Sequence, residues 1–230
     1  MRVAFWDALP GPARTALERA GTVALIRPGA FLAREHTRAT HVYVLRSGAA
    51  KVWVDRDGEI VILEVLGPGD VSGEMEVADG SERYANVEAL TRIEALVLPG
   101  DRFRAVLNEH PAAIWAVAAV LSEKLRDADE LRAAHFPDAP GRRLASRLRR
   151  LADRFGTPVA TGGVVVRLPL CQRDLGRWAG MGRRKVAQLL APERLGDGIA
   201  VSRTAITLRS PGVLDRLAGD EPDDELVPAG

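Results

Sequence analysis

The chain has 230 residues, 47% hydrophobic and 27% charged, a balance that suits one large folded domain or two ordinary ones. Its single cysteine, Cys171, excludes an internal disulfide framework and a four-thiolate iron–sulfur cluster, and no apolar run approaches the roughly 20 residues that cross a bilayer. The opening MRVAFWDALPGPAR meets proline and arginine too early for a signal peptide, so the expected compartment is the cytoplasm, with no membrane partner. The net charge of +1 hides a division: residues 141–210 carry 15 Lys and Arg against 4 Asp and Glu, and the rest carry 17 against 27. Chance clustering of solvated faces is the plain reading. The sharper one is a basic module for a polyanion, nucleic acid first, joined to a module with another task.

Residues 3–20, with Phe5, Leu9 and Leu17, read as a short helical lead-in. From Val23 to about Val97 the pattern becomes short β-branched runs punctuated by glycine, the mark of an antiparallel barrel or sandwich. Asp57-Gly58, between KVWVDR and EIVILEV, is a hairpin signal because both residues tolerate positive φ. After Asp101 the period turns helical. Phe103, Val106 and Leu107 mark a short helix, and Pro111 opens a longer one to about Ala134. Its seam of Ile114, Ala118, Leu121, Leu125 and Ala128 predicts either packing on the chain's own barrel or pairing with a second copy; on a link between domains the homodimer is favoured.

HFPDAPG (135–141) predicts a hinge, and Arg142 to Phe155 a basic helix with Leu144, Leu148, Leu151 and Ala152 on one face. GTPVATGG reads as a loop, VVVRLPL as a strand, and the closing GDEPDDELVPAG as an acidic tail. The most informative segment is QRDLGRWAGMGRRKVAQLL, Gln172 to Leu190. A helix-turn-helix needs a small residue where its helices cross, supplied by Gly176, and a residue tolerant of positive φ at the turn, supplied by Gly180. Leu175, Ala179, Met181, Val186 and Leu189 fill the apolar positions. An amphipathic helical hairpin shares part of this pattern. The second helix, however, begins with Arg183, Arg184, Lys185 and Gln188, donors suited to base edges and phosphates in a major groove. Gln172, Arg173, Gly182 and Arg203 complete the expected DNA-contacting set, with Arg203 in a two-stranded wing, and Pro192 should shorten the recognition helix. Cys171 reads as a small buried residue, with a reactive helix-start thiolate as the alternative.

Over nearly its whole length the sequence resembles the cyclic-AMP receptor / fumarate–nitrate regulator (Crp/Fnr) family. GPGDVSGEMEVADGSERYANV matches the family's barrel motif, FRAVLNEHP its effector helix and FPDAPGRRLASRL its hinge, in the family's order. The resemblance implies an α+β chain: a cyclic-nucleotide-binding-type β-barrel (jelly roll), a long dimerisation helix and a winged helix-turn-helix. The expected boundaries are 1–110 for the sensor, 111–135 for the dimerisation helix, 136–141 for the hinge, 142–218 for the DNA-binding domain and 219–230 for the tail. It also implies a homodimer on a double-stranded DNA operator, with RNA polymerase as a further partner and no enzymatic activity.

In cyclic-nucleotide-binding members the residues matching Gly73 and Glu74 open a short helix at the phosphate, the Glu takes the ribose hydroxyl, and the Arg matching Arg83 pairs with the phosphate. Gly73, Glu74, Met75, Arg83, Tyr84, Ala85, Ala128 and Asp129 are thus the candidate ligand residues, with a cyclic nucleotide as the candidate ligand. Several positions depart from the family. Ser72 replaces an aromatic residue, Glu76 a small one and Tyr84 a small hydroxyl, while Ala128 and Asp129 stand where cyclic-AMP receptors offer Thr and Ser to adenine. Glu76 and Asp129 would repel an anion or demand its exclusion. Glu74 and Arg83 forming an internal ion pair in a degenerate site, within a ligand-independent regulator, is the competing reading. On the DNA side Arg184 replaces a Glu and Gln188 an Arg, which predicts a different operator. A cupin-type enzyme is a remote alternative: His36 and His41 are five apart and lack the expected ligand spacing.

Overall fold

Two helices, α1 (Phe5–Ala8) and α2 (Gly11–Ala20), lead into eight strands, as the spacing of residues 3–20 and the glycine-punctuated runs predict. The computed structural model describes residues 4–133, 140–160, 162–210 and 212–219, and divides the chain into two units, Met1–Arg126 and Asp127–Gly230. In the first unit β1 (Thr22–Ile26), β8 (Ile93–Pro99), β3 (His41–Ser47) and β6 (Val71–Ser72) form one antiparallel sheet in that order. The other sheet runs β2 (Phe31–Ala33), β7 (Asn86–Ala89), β4 (Ala50–Arg56) and β5 (Glu59–Leu66). The jelly roll is therefore a pair of four-stranded sheets, not a continuous closed barrel.

Strand β8 shows how the layers stack. Its side chains alternate between faces, as a strand requires. Ile93 and Ala95 point between the sheets and pack with Leu32, Ala50, Leu66, Val87 and Ala89. Leu96 and Leu98 point the other way, into a second core with Phe5, Leu17, Phe103, Val117 and Val120. Strands β8 and β3 are thus covered on both faces, which explains why they read as near-continuous apolar runs. Between β4 and β5, Asp57 and Gly58 take φ of 56° and 84°, the two-residue hairpin their sequence predicts.

Helix α3 (Glu74–Asp79) follows β6; α4 (Gly100–Glu109) and α5 (Ala112–Ala133) follow β8. On α5, Ala113, Ala116, Val117 and Val120 are buried in the unit's own core. The expected seam lies on other faces: Ile114 and Leu125 are 46% and 60% exposed, and Leu121 is partly packed on the core. Trp115, absent from the expected seam, is 76% exposed and joins them. Of Ile114, Leu121 and Leu125, the seam therefore shares only Leu121 with the residues that anchor the helix to its own domain.

In the second unit α6 (Pro140–Phe155) buries Leu144, Ala145, Leu148 and Leu151. Of the expected hinge, residues 136–139 lie outside the described residues, whereas Pro140 and Gly141 belong to α6; of the expected tail, residues 220–230 lie outside them. The segment read as a loop holds a strand, β9 (Gly156–Pro158), paired with β10 (Val164–Val166). Its Gly and Pro conceal it: a Cβ on Gly156 would meet the Ala152 carbonyl oxygen at 2.1 Å, so glycine serves a close approach there. Helices α7 (Gln172–Ala179), α8 (Arg183–Leu189) and α9 (Pro192–Leu195) come next, then β11 (Ile199–Val201), β12 (Ile206–Leu208) and α10 (Val213–Ala218). The sheet order is β11-β12-β10-β9, and α10, which the sequence does not announce, packs against α6.

Candidate functional sites

The first site is built where β6 turns into α3. Gly73 is the N-cap of α3 with φ of 88°, and a Cβ there would lie 2.1 Å from Arg83 Nη1 and 2.7 Å from the His41 carbonyl oxygen. Conformation and space both demand glycine. Glu74, 1% exposed, accepts a hydrogen bond at 2.7 Å from Lys124 Nζ on α5. Arg83, 5% exposed, donates from Nη2 to the His41 carbonyl and from Nη1 to Glu76 Oε2 at 3.3 Å. The other oxygen of Glu76 takes the Tyr84 N–H at 3.2 Å. Met75 and the Tyr84 ring face solvent, and Ala85 is buried. Glu74 and Arg83 do not pair with each other, which corrects that form of the internal ion pair: each is neutralised by a different residue.

Seven residues of the site, Gly73 through Glu76 and Arg83 through Ala85, thus surround α3 and the start of β7. Ala128 and Asp129 lie on α5 beyond Arg126, in the second unit. The side chain that α5 gives to Glu74 is Lys124, one turn before Ala128, which the sequence reading missed. Next to Asn86, Glu35 accepts from Arg56 Nη1 at 2.6 Å and from the Asp55 N–H at 3.4 Å. Burial pushes its pKa up, but the hydrogen bonds from Arg56 and Asp55 and the charges of Arg56 and His36 outweigh it and hold the carboxyl below its ordinary value.

The second site is the helix-turn-helix. A Cβ on Gly176 would lie 2.5 Å from the Met181 carbonyl oxygen and 3.3 Å from Val186 Cγ2, so the helices cross closely there. Gly180 ends α7 with φ of 67° and ψ of 43°, the left-handed turn the pattern requires. Val186 and Leu189 are buried, and Gly182 caps α8. Helix α8 stops at Leu189, and Pro192 starts α9.

Arg183, Arg184 and Gln188 are exposed and Lys185 is half-buried. Arg173 on α7, Arg183 on α8 and Arg203 in the turn between β11 and β12 line one cleft of about 440 Å³, together with Gln172 and Ser202. Arg184, Lys185 and Gln188 do not line it. Ser202 Oγ accepts from the N–H groups of Thr204 and Ala205 and so orders the wing turn that carries Arg203. Cys171 is exposed, not buried as expected. It is the N-cap of α7, and a capping side chain must sit at the helix end: Cys171 Sγ donates to Asp174 Oδ2 at 2.9 Å and its N–H to the same oxygen at 3.0 Å.

Comparison with known proteins gives the family. The family described as "Cyclic nucleotide-binding domain" matches residues 24–110. The cyclic AMP receptor protein of Thermus thermophilus is 31% identical over 178 residues, 73% of this chain and 77% of that protein. The chain belongs to the Crp/Fnr family of transcription regulators. A second relative, the CRP-like cAMP-activated global transcriptional regulator of Mycobacterium tuberculosis, is 30% identical over 152 residues, 65% of this chain and 67% of that one. Among solved structures, FixK2 from Bradyrhizobium japonicum shares the fold with a TM-score of 0.72 at 21% identity, over 87% of this chain and 98% of that one. The c-di-GMP-responsive regulator CLP of Xanthomonas campestris gives 0.73 at 17% identity, over 87% and 100%. As a Crp/Fnr chain it is a DNA-binding transcription regulator. Among the described residues no single helix is long and apolar enough to cross a membrane, and no group of three or more His, Cys, Asp or Glu is arranged to hold a metal.

Proposed function

We propose that this Crp/Fnr regulator works in the cytoplasm as a homodimer on a roughly two-fold DNA operator, without catalysing a reaction. The observation that carries the reading is the placing of three arginines from three elements, Arg173, Arg183 and Arg203, around one cleft beside the exposed start of α8. A cleft lined by three arginines suits a phosphate strand, so Gln172, Arg173, Arg183 and Arg203 are assigned to the backbone. Arg184 and Gln188, four residues apart on one face of α8, are assigned to base edges, and Lys185 to a phosphate. Gly182 sets the helix N-terminus against the backbone.

The exposed face of α5, with Ile114, Trp115 and Leu125, supports a dimer through this helix. The division proposed is residues 1–110 as sensor, 111–135 as dimerisation helix, 136–141 as hinge, 142–218 as DNA-binding domain and 219–230 as tail. RNA polymerase is the partner through which a bound regulator of this kind would act. The test is selection of bound sequences from random duplex DNA by the full chain. A two-fold related consensus is expected; a pool that never departs from random composition sinks the proposal.

A further inference from the structure

The binding mode that the family resemblance implies asks two things of the residues around α3: a carboxylate free to accept a ribose hydroxyl and a guanidinium free to meet a phosphate. Neither is free. The Glu74 carboxylate, 1% exposed, is engaged by Lys124 at 2.7 Å. The Arg83 guanidinium, 5% exposed, is divided between the His41 carbonyl and the Glu76 carboxylate. Glu76 receives one donor on each oxygen, Arg83 Nη1 at 3.3 Å and the Tyr84 N–H at 3.2 Å. A guanidinium and a main-chain amide at the edge of a short helix are the donors an anionic ligand would recruit. The four charges of Glu74, Glu76, Arg83 and Lys124 already cancel, and the Glu76 side chain is only 11% exposed. A phosphate entering this place would add a further anion to a group of four whose two cations are already matched by two carboxylates.

We propose that Glu76 is a built-in anion that occupies the phosphate seat on Arg83, so that this sensor domain is closed to cyclic nucleotides by its own carboxylate. The inference rests on the chain's place in the Crp/Fnr family, but its test involves no DNA and stands or falls separately from the operator reading. Lys124 performs the matching service for Glu74, the ammonium taking the place of the hydroxyl donor. The site is filled by the protein itself.

The test is calorimetric titration of the full-length chain with cyclic AMP, and separately with inorganic phosphate, for wild type, Glu76→Ala and Glu76→Gln. Glu76→Gln keeps the volume and an acceptor for the Tyr84 N–H, which guards against a variant that fails to fold. Wild type should give no saturable heat with either probe. Each variant should bind cyclic AMP at least about tenfold more tightly than wild type, since removing a like charge beside the seat is worth a pK unit or more. Adding Arg83→Ala to either variant should abolish the gain. Wild type binding cyclic AMP as tightly as the variants overturns the proposal, and so does a folded pair of variants that bind no better than wild type.

Discussion

Lys124 Nζ lies 2.7 Å from Glu74 Oε1, and Glu74 is the most deeply buried charged side chain among the described residues. The two stand 50 positions apart, one on the short helix after β6 and the other on the long helix α5. Lys124→Met keeps the aliphatic stem and removes the ammonium, leaving a carboxylate without its cation. The first unit should lose about 1–3 kcal/mol of stability in a denaturant melt. Lys124→Met combined with Glu74→Gln should recover part of that loss, because no unpaired charge remains. If the single variant melts like wild type, the bridge contributes nothing to the fold.

Dimerisation can be separated from folding on the same helix. Leu125 is 60% exposed and Trp115 76% exposed, so neither holds the unit's own core together. Leu125→Asp should give a monomer by sedimentation velocity at micromolar concentration with a nearly unchanged melt, since a buried charge is penalised only where the surface is covered. Leu121→Asp should damage both assembly and fold, because Leu121 is partly packed on the core. A wild-type chain that sediments as a monomer removes the basis of this prediction.

Arg184 and Gln188 should behave unlike Arg183 and Lys185 in DNA binding. Loss of a base reader by Arg184→Ala should cost about 1–3 kcal/mol on the selected site and relax preference at one position. Arg183→Ala and Lys185→Ala should weaken selected and scrambled duplexes alike, and each should flatten the salt dependence by about one unit of slope. Fluorescence anisotropy at several salt concentrations distinguishes the two classes. Equal effects on specificity from all four would dissolve the division.

Glu35 supplies a pH signature. Its pKa is lowered in the folded chain relative to the ordinary 4.5, so it favours folding at pH above that value. That stabilisation is lost progressively as pH falls from 4.5 through the folded-state pKa, below which folded and unfolded forms both bind the proton. Glu35→Gln should therefore melt below wild type at pH 7, and the gap should close in strongly acid solution. A gap independent of pH would mean that packing, not charge, makes the difference.

What the sequence revealed was what is local. Gly176 and Gly180 could be read because a helix crossing and a left-handed turn are each set within a few residues, and Asp57-Gly58 for the same reason. Glu74 and Arg83 were recognisable through the family resemblance, but their partners were not. Lys124 comes from a distant helix, and the meeting of Glu76 with Arg83 depends on how α3 and the start of β7 fold against each other. β9 hid behind its glycine and proline, and α10 is only six residues long, too short for a helical period to stand out. The exposure of Cys171 was missed because capping, not hydrophobicity, decides where that side chain goes.

That thiol has a practical consequence. Cys171 is the chain's single cysteine and is exposed, and it lines the same cleft as Arg173, Arg183 and Arg203. A maleimide dye will therefore attach at one position without any engineered residue, within a side chain's reach of the place assigned to the phosphate strand. The unaltered protein comes with an optical reporter site for the arrival and departure of a duplex.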